Sequence, residues 1–189
     1  MSGRLPGVSH DPDPVSPANP AAEHYAYRVR RTPAELTLIW RGGEGDGPDE
    51  FAVDGSGRLL TFRETAAARK YCERAGLALA HEDESEDTAA LDLDPAAEWA
   101  AHGGPVAEGL LLDAWNLFTD LAQALPDGPP LPPRDPVQDS AYEKFFGLAA
   151  LDPDGGDGAW DQRETESVRE VLNAGLRLWE TALADAVIQ

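Results

Sequence analysis

The chain has 189 residues, 42% of them hydrophobic, which is enough length and apolar content for one domain with a packed core. Its net charge of −20 is uneven, because residues 1–75 hold 10 Lys/Arg and 11 Asp/Glu (10 − 11 = −1) and residues 76–189 hold the other 5 and 24 (5 − 24 = −19). An acidic half of this kind repels nucleic-acid phosphate and anionic lipid and attracts cationic surfaces, so we expect a basic protein partner, no nucleic acid and no membrane.

Cysteine usage and the absence of long apolar runs indicate the compartment. The one cysteine, Cys72, excludes an intramolecular disulfide and is typical of a reducing environment. The first residues lack the apolar stretch of a secretory signal, and no hydrophobic run approaches the ~20 residues that span a membrane. We therefore expect a cytoplasmic protein.

Proline marks two segments that are not expected to form helix or strand. Residues 1–22 contain five prolines and almost no large apolar residue, which predicts a disordered tail. Residues 126–136 contain six prolines and are predicted to form a semi-rigid connector, partly polyproline II. The remaining chain, 23–189, is predicted to be a single α+β domain, sheet-rich over 23–94 and helical over 95–189.

Strands are predicted where apolar and polar residues alternate. Residues 25–29 alternate as a half-buried strand requires, and residues 36–40 form a second β-rich run. Residues 51–53 and 58–62 flank Asp54-Gly-Ser-Gly57, whose glycines allow positive φ, so this segment is predicted to be a hairpin.

Helices are predicted from apolar residues spaced three and four apart and from end signals. They cover about 63–75, 95–102, 108–125, 140–150 and 162–187, with short strands expected at 77–80 and 91–94. Gly76 is a typical residue to follow a helix, and Asp94 and Asp161 are predicted N-caps, the second with a capping box to Glu164. Strands followed by helices predict an α+β fold, with a small antiparallel sheet followed by and packed against four to five helices.

No segment carries a complete catalytic, cofactor or metal motif. Residues 152–161 resemble a calcium loop, but position 12 is Arg163 where a glutamate is needed, so a turn-rich loop is the preferred interpretation. Residues 41–47 are glycine-rich but lack the Lys-Ser/Thr ending of a phosphate loop, and the four histidines lack ligand spacing. We expect no metal, no cofactor and no enzymatic activity.

Two groups of polar residues are candidates for contact with a partner. They are an acidic loop, Glu82, Asp83, Glu84, Glu86 and Asp87, and a predicted ridge on the helix over 108–125, Asp113, Asn116 and Asp120. The ridge residues lie three and four positions apart, which places them on one helix face. An ordinary solvated helix face is the alternative interpretation.

A resemblance adds to this interpretation of the residues. The stretches LLLDAWNLFTDLAQAL and YEKFFGLAAL, with the long final helix, resemble a group of small acidic uncharacterised bacterial proteins over residues 105–183. The size, acidity and lack of catalytic motifs resemble immunity proteins, many of which inhibit nuclease toxins by presenting carboxylates to a basic active site. This resemblance implies an inhibitor or immunity protein that neutralises a basic partner.

Two other functions stay open on the sequence alone. An adaptor or structural subunit of a larger assembly would dock through the proline-rich segments. An enzyme would need a site assembled from dispersed carboxylates, recognisable as a pocket lined by carboxylates with shifted pKa values. The sequence does not predict the oligomeric state.

Overall fold

The computed structural model describes residues 23–43, 47–80, 89–151 and 160–188, with backbone alone at 108 and 146–151. Three sequence predictions fall outside these ranges: the tail over 1–22, the acidic loop over 82–87 and most of the calcium-like loop. In the part of the chain that is described, no helix is both long and apolar enough to cross a membrane.

The described chain has an α+β fold, as the sequence predicts. The strands are β1 (His24–Arg31), β2 (Ala34–Arg41), β3 (Glu50–Phe51), β4 (Leu60–Phe62), β5 (Leu91–Asp92) and β6 (Val187–Ile188), and the helices are α1 (Thr65–Ala75), α2 (Leu93–His102), α3 (Glu108–Ala124), α4 (Pro136–Leu151) and α5 (Gln162–Asp185). The predicted connector joins α3 to α4 without helix or strand until α4 begins at Pro136.

The sheet has the order β5-β1-β2-β4-β6, and β3 also pairs with β2. The pairs that β2 makes with β1, β3 and β4 are antiparallel, as predicted. The outer strands β5 and β6 are parallel to β1 and β4, so the sheet is mixed rather than wholly antiparallel. The reason is that the chain returns to each edge after a helical crossover, which brings it back in the same direction. The segment 77–80 forms only an isolated bridge, between Leu79 and His24.

Both faces of the sheet are covered by helices. Successive strand residues point to opposite sides, so the strands contribute apolar side chains to both faces. On one face α1 packs through Ala68 and Cys72 against side chains of β2 and β4: Ile39, Leu60 and Phe62. On the other face Val29 and Leu38 join a larger core built from the remaining helices. The sheet therefore separates a small hydrophobic cluster from a large one.

The apolar face of α3, whose residues recur three and four positions apart, is part of the larger core. Its buried members are Leu111, Ala114, Trp115, Phe118 and Leu121, and α5 packs across them. The contact is closest at Gly175, where a Cβ atom would lie 2.1 Å from Cγ and Cδ2 of Phe118. Gly175 is thus required for the approach of α5 to α3.

Two predicted helix ends are confirmed. Gly76 adopts a φ of 69°, and the amide of Leu77 donates to the carbonyl of Cys72 at 2.9 Å, so the end of α1 is closed by backbone bonds. Asp161 caps α5 by accepting from the amide of Glu164, and the Glu164 side chain accepts from the Asp161 amide. Both donors of this capping box are therefore satisfied.

The predicted N-cap at Asp94 is wrong. The cap of α2 is Asp92, whose side chain accepts from the amide of Asp94 at 3.1 Å. The Asp94 carboxylate instead accepts from Thr32 and, at 2.6 Å, from Arg31, which ties α2 to the β1–β2 turn. The bonds from Thr32 and Arg31 hold the pKa of Asp94 below its ordinary value. Asp92 therefore caps α2, while the Asp94 carboxylate is held by Thr32 and Arg31.

Candidate functional site

The structure brings the three ridge residues together on α3. Asp113, Asn116 and Asp120 share one face of the helix, and that face forms a wall of a cavity of about 420 Å³. The carboxylates are therefore presented to a concave surface rather than along a protruding ridge. The predicted acidic loop, Glu82 to Asp87, lies outside the described residues and has no place in this description.

The opposite wall of the cavity is an aromatic surface of the sheet. Trp40 pairs with Phe51 across β2 and β3, and Tyr27 pairs with Leu38 across β1 and β2, so these side chains point to one face. The ring centroids of Tyr27 and Phe51 lie 5.7 Å apart in an edge-on arrangement. Asp49, just before β3, adds a third carboxylate to the lining.

Asp120 is the best-anchored carboxylate of the cavity. The indole nitrogen Nε1 of Trp40 donates to Oδ2 of Asp120 at 3.0 Å, which fixes the carboxylate and joins β2 to α3. Burial raises the pKa of Asp120, the bond from Trp40 lowers it, and the charge of Asp49 raises it, with a net rise above the ordinary value. The aspartate is half-buried, so it is held in place while one side still faces the cavity.

Asp113 lies two turns earlier on α3, is exposed, and also lines the cavity. The atoms around it desolvate the carboxylate enough to raise its pKa. Neither Asp113 nor Asp120 forms an ion pair with any residue that the structure describes. Arg134 also lines the cavity, but the carboxylate it is paired with among the described residues is that of Asp139.

The charges of both α3 aspartates affect the pKa of Tyr27. Burial, together with the smaller effects of the Asp113 and Asp120 charges, raises the pKa of its phenol to about 12. The phenol is consequently neutral at physiological pH and can only donate or accept a hydrogen bond. Tyr27 contributes an aromatic surface and a neutral hydroxyl to the site.

The third wall is formed by α4 and the connector before it. The hydroxyl of Tyr142 donates to Oδ1 of Asn116 at 2.8 Å, so Asn116 positions this wall. The guanidinium carbon of Arg134 lies 5.1 Å from the centre of the Tyr142 ring, and its Nε donates to Asp139 at 2.5 Å. The guanidinium beside the cavity is thus already held by a ring and by a carboxylate on α4.

This combination of side chains suits a cation. Carboxylates supply charge, and aromatic faces attract a cation through their quadrupoles. Within the described ranges, no three His, Cys, Asp or Glu side chains are placed to hold a metal ion. The volume of the cavity lies within the ~300–1,000 Å³ that is usual for ligand pockets.

Sequence reasoning identified the acidic side of this cavity and missed the aromatic side. The alternation of residues 25–29 predicted a half-buried strand, and residues 36–40 were predicted to form a strand without a stated facing. The missing information was that α3 lies over this part of the sheet, so that Tyr27 and Trp40 line a cavity with Asp113 and Asp120. The available signal was the aromatic residues at Tyr25 and Tyr27 of β1 and Trp40 at the end of β2.

No family model, curated protein or solved structure matches this chain.

Proposed function

We propose that the protein is a non-enzymatic binding protein that captures a basic protein partner, as an inhibitor or immunity protein for a partner such as a nuclease toxin. The observation that carries the proposal is the pair Asp113 and Asp120, two carboxylates without an ion-pair partner among the described residues, in one aromatic-lined cavity. The partner would be inhibited by occlusion of its basic surface.

The free protein retains an electrostatic cost that a basic partner would remove. Burial raises the pKa of both aspartates, which means that their charged forms are less stable here than in water. A cation that enters the cavity compensates the charge where the dielectric constant is low and the attraction is strong. The same field steers a basic partner to the cavity and raises its association rate at low salt.

The distribution of ion pairs supports a negative field that comes mainly from the helical half of the chain. On the sheet, arginines are paired with carboxylates: Arg28 with Glu35, Arg30 with Asp92, and Arg41 with Glu50. Two of these pairs lie within residues 1–75, whose net charge is −1 (10 − 11), and the third joins Arg30 to Asp92 of the acidic half. The excess negative charge belongs to the helical half, which contributes α3 to the cavity.

The test is the affinity for a basic protein recovered with the full chain from its source cells and then purified. The variant Asp113→Asn/Asp120→Asn keeps the side-chain shape and removes two charges from the cavity. The matched control Glu170→Gln/Glu180→Gln removes two charges from exposed positions on α5, away from the cavity lining. Calorimetry should show a loss of 10-fold or more for the cavity variant and less than 3-fold for the control.

The salt dependence provides the second readout. Affinity should fall as ionic strength rises, because charges are screened within about 8–10 Å at 0.1–0.15 M salt. Equal losses for the cavity variant and the α5 control would mean that net charge, rather than this cavity, determines binding. A basic partner that binds both variants as tightly as the wild type would exclude the proposal.

One observation favours a second candidate, an enzyme. Two carboxylates with raised pKa values in one cavity is also an arrangement found in active sites. The two candidates differ in stoichiometry: an inhibitor forms a fixed complex with its partner, whereas an enzyme releases an altered product. Mass spectrometry of the captured partner after incubation with the protein distinguishes them, since a covalent change in the partner supports the enzyme.

A further inference from the structure

We propose that the cavity is a receptor for a guanidinium group, supplied by an arginine side chain of the partner. This inference rests on the proposed function and names the chemical group that the site takes. It follows from three features: the spacing of the carboxylates, the aromatic wall opposite them, and the way in which the protein already holds Arg134 beside the cavity.

The spacing of the carboxylates favours an extended organic cation over a metal ion. Asp113 and Asp120 are seven residues apart on one helix, so their Cα atoms are separated by about 10.5 Å along the axis. A single metal ion needs its ligands at about 2.0–2.6 Å and cannot draw both carboxylates together across two turns. A guanidinium on its flexible stem can donate to one carboxylate while it remains in the field of the other.

The aromatic wall favours guanidinium over ammonium. The guanidinium is planar, so its edge donates to a carboxylate while its face stacks on a ring. Tyr27 and Trp40 are partly exposed and line the same cavity as the carboxylates of α3, and the buried ring of Phe51 packs edge-on against Tyr27. A lysine ammonium is compact and strongly hydrated, and it would have to give up more water to lie against these rings.

Arg134 shows the same recognition within the protein itself. Its guanidinium carbon lies 5.1 Å from the Tyr142 ring centre, and its Nε donates to a carboxylate oxygen of Asp139 at 2.5 Å. One ring and one carboxylate thus hold a guanidinium at the rim of the cavity. The cavity offers the same pair of elements, rings and carboxylates, and among the described residues Asp113 and Asp120 form no ion pair with Arg134 or any other cation.

The indole N–H of Trp40 provides a direct probe, because it donates to Asp120. Its NMR signal is identified as the one that disappears in Trp40→Phe. We expect N-acetyl-L-arginine amide to shift this signal with a dissociation constant on the order of 1 mM, a value typical of a single small group. N-acetyl-L-citrulline amide has nearly the same shape without the charge, and N-acetyl-L-lysine amide has a charge without the planar fork.

The expected order of affinity is arginine amide first, lysine amide at least 3-fold weaker, and citrulline amide at least 10-fold weaker. The variant Asp113→Asn/Asp120→Asn should weaken the arginine amide at least 10-fold, and Glu170→Gln/Glu180→Gln should leave it unchanged. Free L-arginine and agmatine test the other source of a guanidinium. Binding of either at least 10-fold tighter than the amide would assign the cavity to a small molecule rather than a partner side chain.

Failure of this inference is distinguishable from failure of the proposed function. If citrulline amide binds as well as arginine amide, or if neither shifts the Trp40 signal up to 50-fold above the expected constant, the cavity is not a guanidinium receptor. If the basic protein still loses affinity with the cavity variant under those conditions, the proposed function stands and only the guanidinium assignment is overturned.

Discussion

The closest contact between the two long helices yields a sharp prediction about stability. Gly175 lies inside α5, where alanine is normally favoured over glycine by about 1 kcal/mol. In this fold, however, an added Cβ would lie 2.1 Å from two ring atoms of Phe118, whereas ordinary contacts begin near 3.4 Å. We therefore expect Gly175→Ala to destabilise the protein in spite of its better helix propensity.

The magnitude follows from the displacement that the methyl group requires. The ring of Phe118 is fully buried, so it has to move by more than 1 Å or push α5 away from α3. Overpacking of this kind costs about 1–3 kcal/mol or more, and the propensity gain offsets about 1 kcal/mol of it. A net loss of about 2 kcal/mol would lower the melting temperature by about 4–8 °C for a chain of this size.

The assay is thermal and urea unfolding of four variants: Gly175→Ala, Gly109→Ala, Phe118→Leu and the double variant Gly175→Ala/Phe118→Leu. Gly109→Ala is the control, because Gly109 also lies in a helix but a Cβ there would have no neighbour within 4 Å. It should be neutral or stabilising by up to about 1 kcal/mol. Adding Phe118→Leu to Gly175→Ala should cost less than the sum of the two single changes. A Gly175→Ala protein as stable as wild type would refute the close packing of α5 on α3.

Other predictions concern ionisable groups. Bonds from Lys144, Ser140 and the Asp161 amide lower the pKa of Glu164 from near 4.5 to about 2. The contribution of Glu164 to stability is therefore present above pH 4.5 and is lost as pH falls toward 2. In Glu164→Gln the melting temperature should depend less on pH over that range. Burial raises the pKa of Cys72 to about 11, so a thiol reagent should modify it only as fast as the protein unfolds. The raised pKa values of Asp113 and Asp120 mean that their charges oppose folding at neutral pH, so Asp113→Asn/Asp120→Asn should melt at or above the wild-type temperature there.

Local chemistry made most of the secondary structure predictable. The end of α1 at Gly76 and the start of α5 at Asp161 each depend on side chains or backbone angles within one turn, and both were predicted from the sequence. The alternation of residues 25–29 and the glycines of 54–57 likewise predicted β1 and the hairpin before β4. Sequence signals that depend only on neighbouring residues can be used without knowing the rest of the fold.

Contacts between distant segments account for what the sequence did not predict. A short strand was expected at 91–94, where β5 forms, but its parallel pairing with β1 was not predicted, and neither was the two-residue strand β6 beside β4. The role of Asp94 depends on Thr32, 62 residues away along the chain. The same holds for the candidate site, since Trp40 reaches Asp120 across 80 residues. The helix face of Asp113 and Asp120 was visible in the sequence, but its aromatic counterpart required the topology.

The carboxylates of the acidic half do not all have the same role in the structure. Several of its carboxylates have a structural role: Asp161 and Glu164 close the start of α5, and Asp139 pairs with Arg134. Asp113 and Asp120 have no such role in ion pairing among the described residues, and their raised pKa values show that the fold makes their charge less favourable.

Groups that weaken the free protein are characteristic of functional sites, because binding supplies the compensation that folding does not. Asp113 is exposed to water, as a charge that serves solubility would be, whereas Asp120 is half-buried and bonded to Trp40, which solubility alone does not require. The argument for a cationic partner therefore depends on where these two charges lie, and much less on the total of −20.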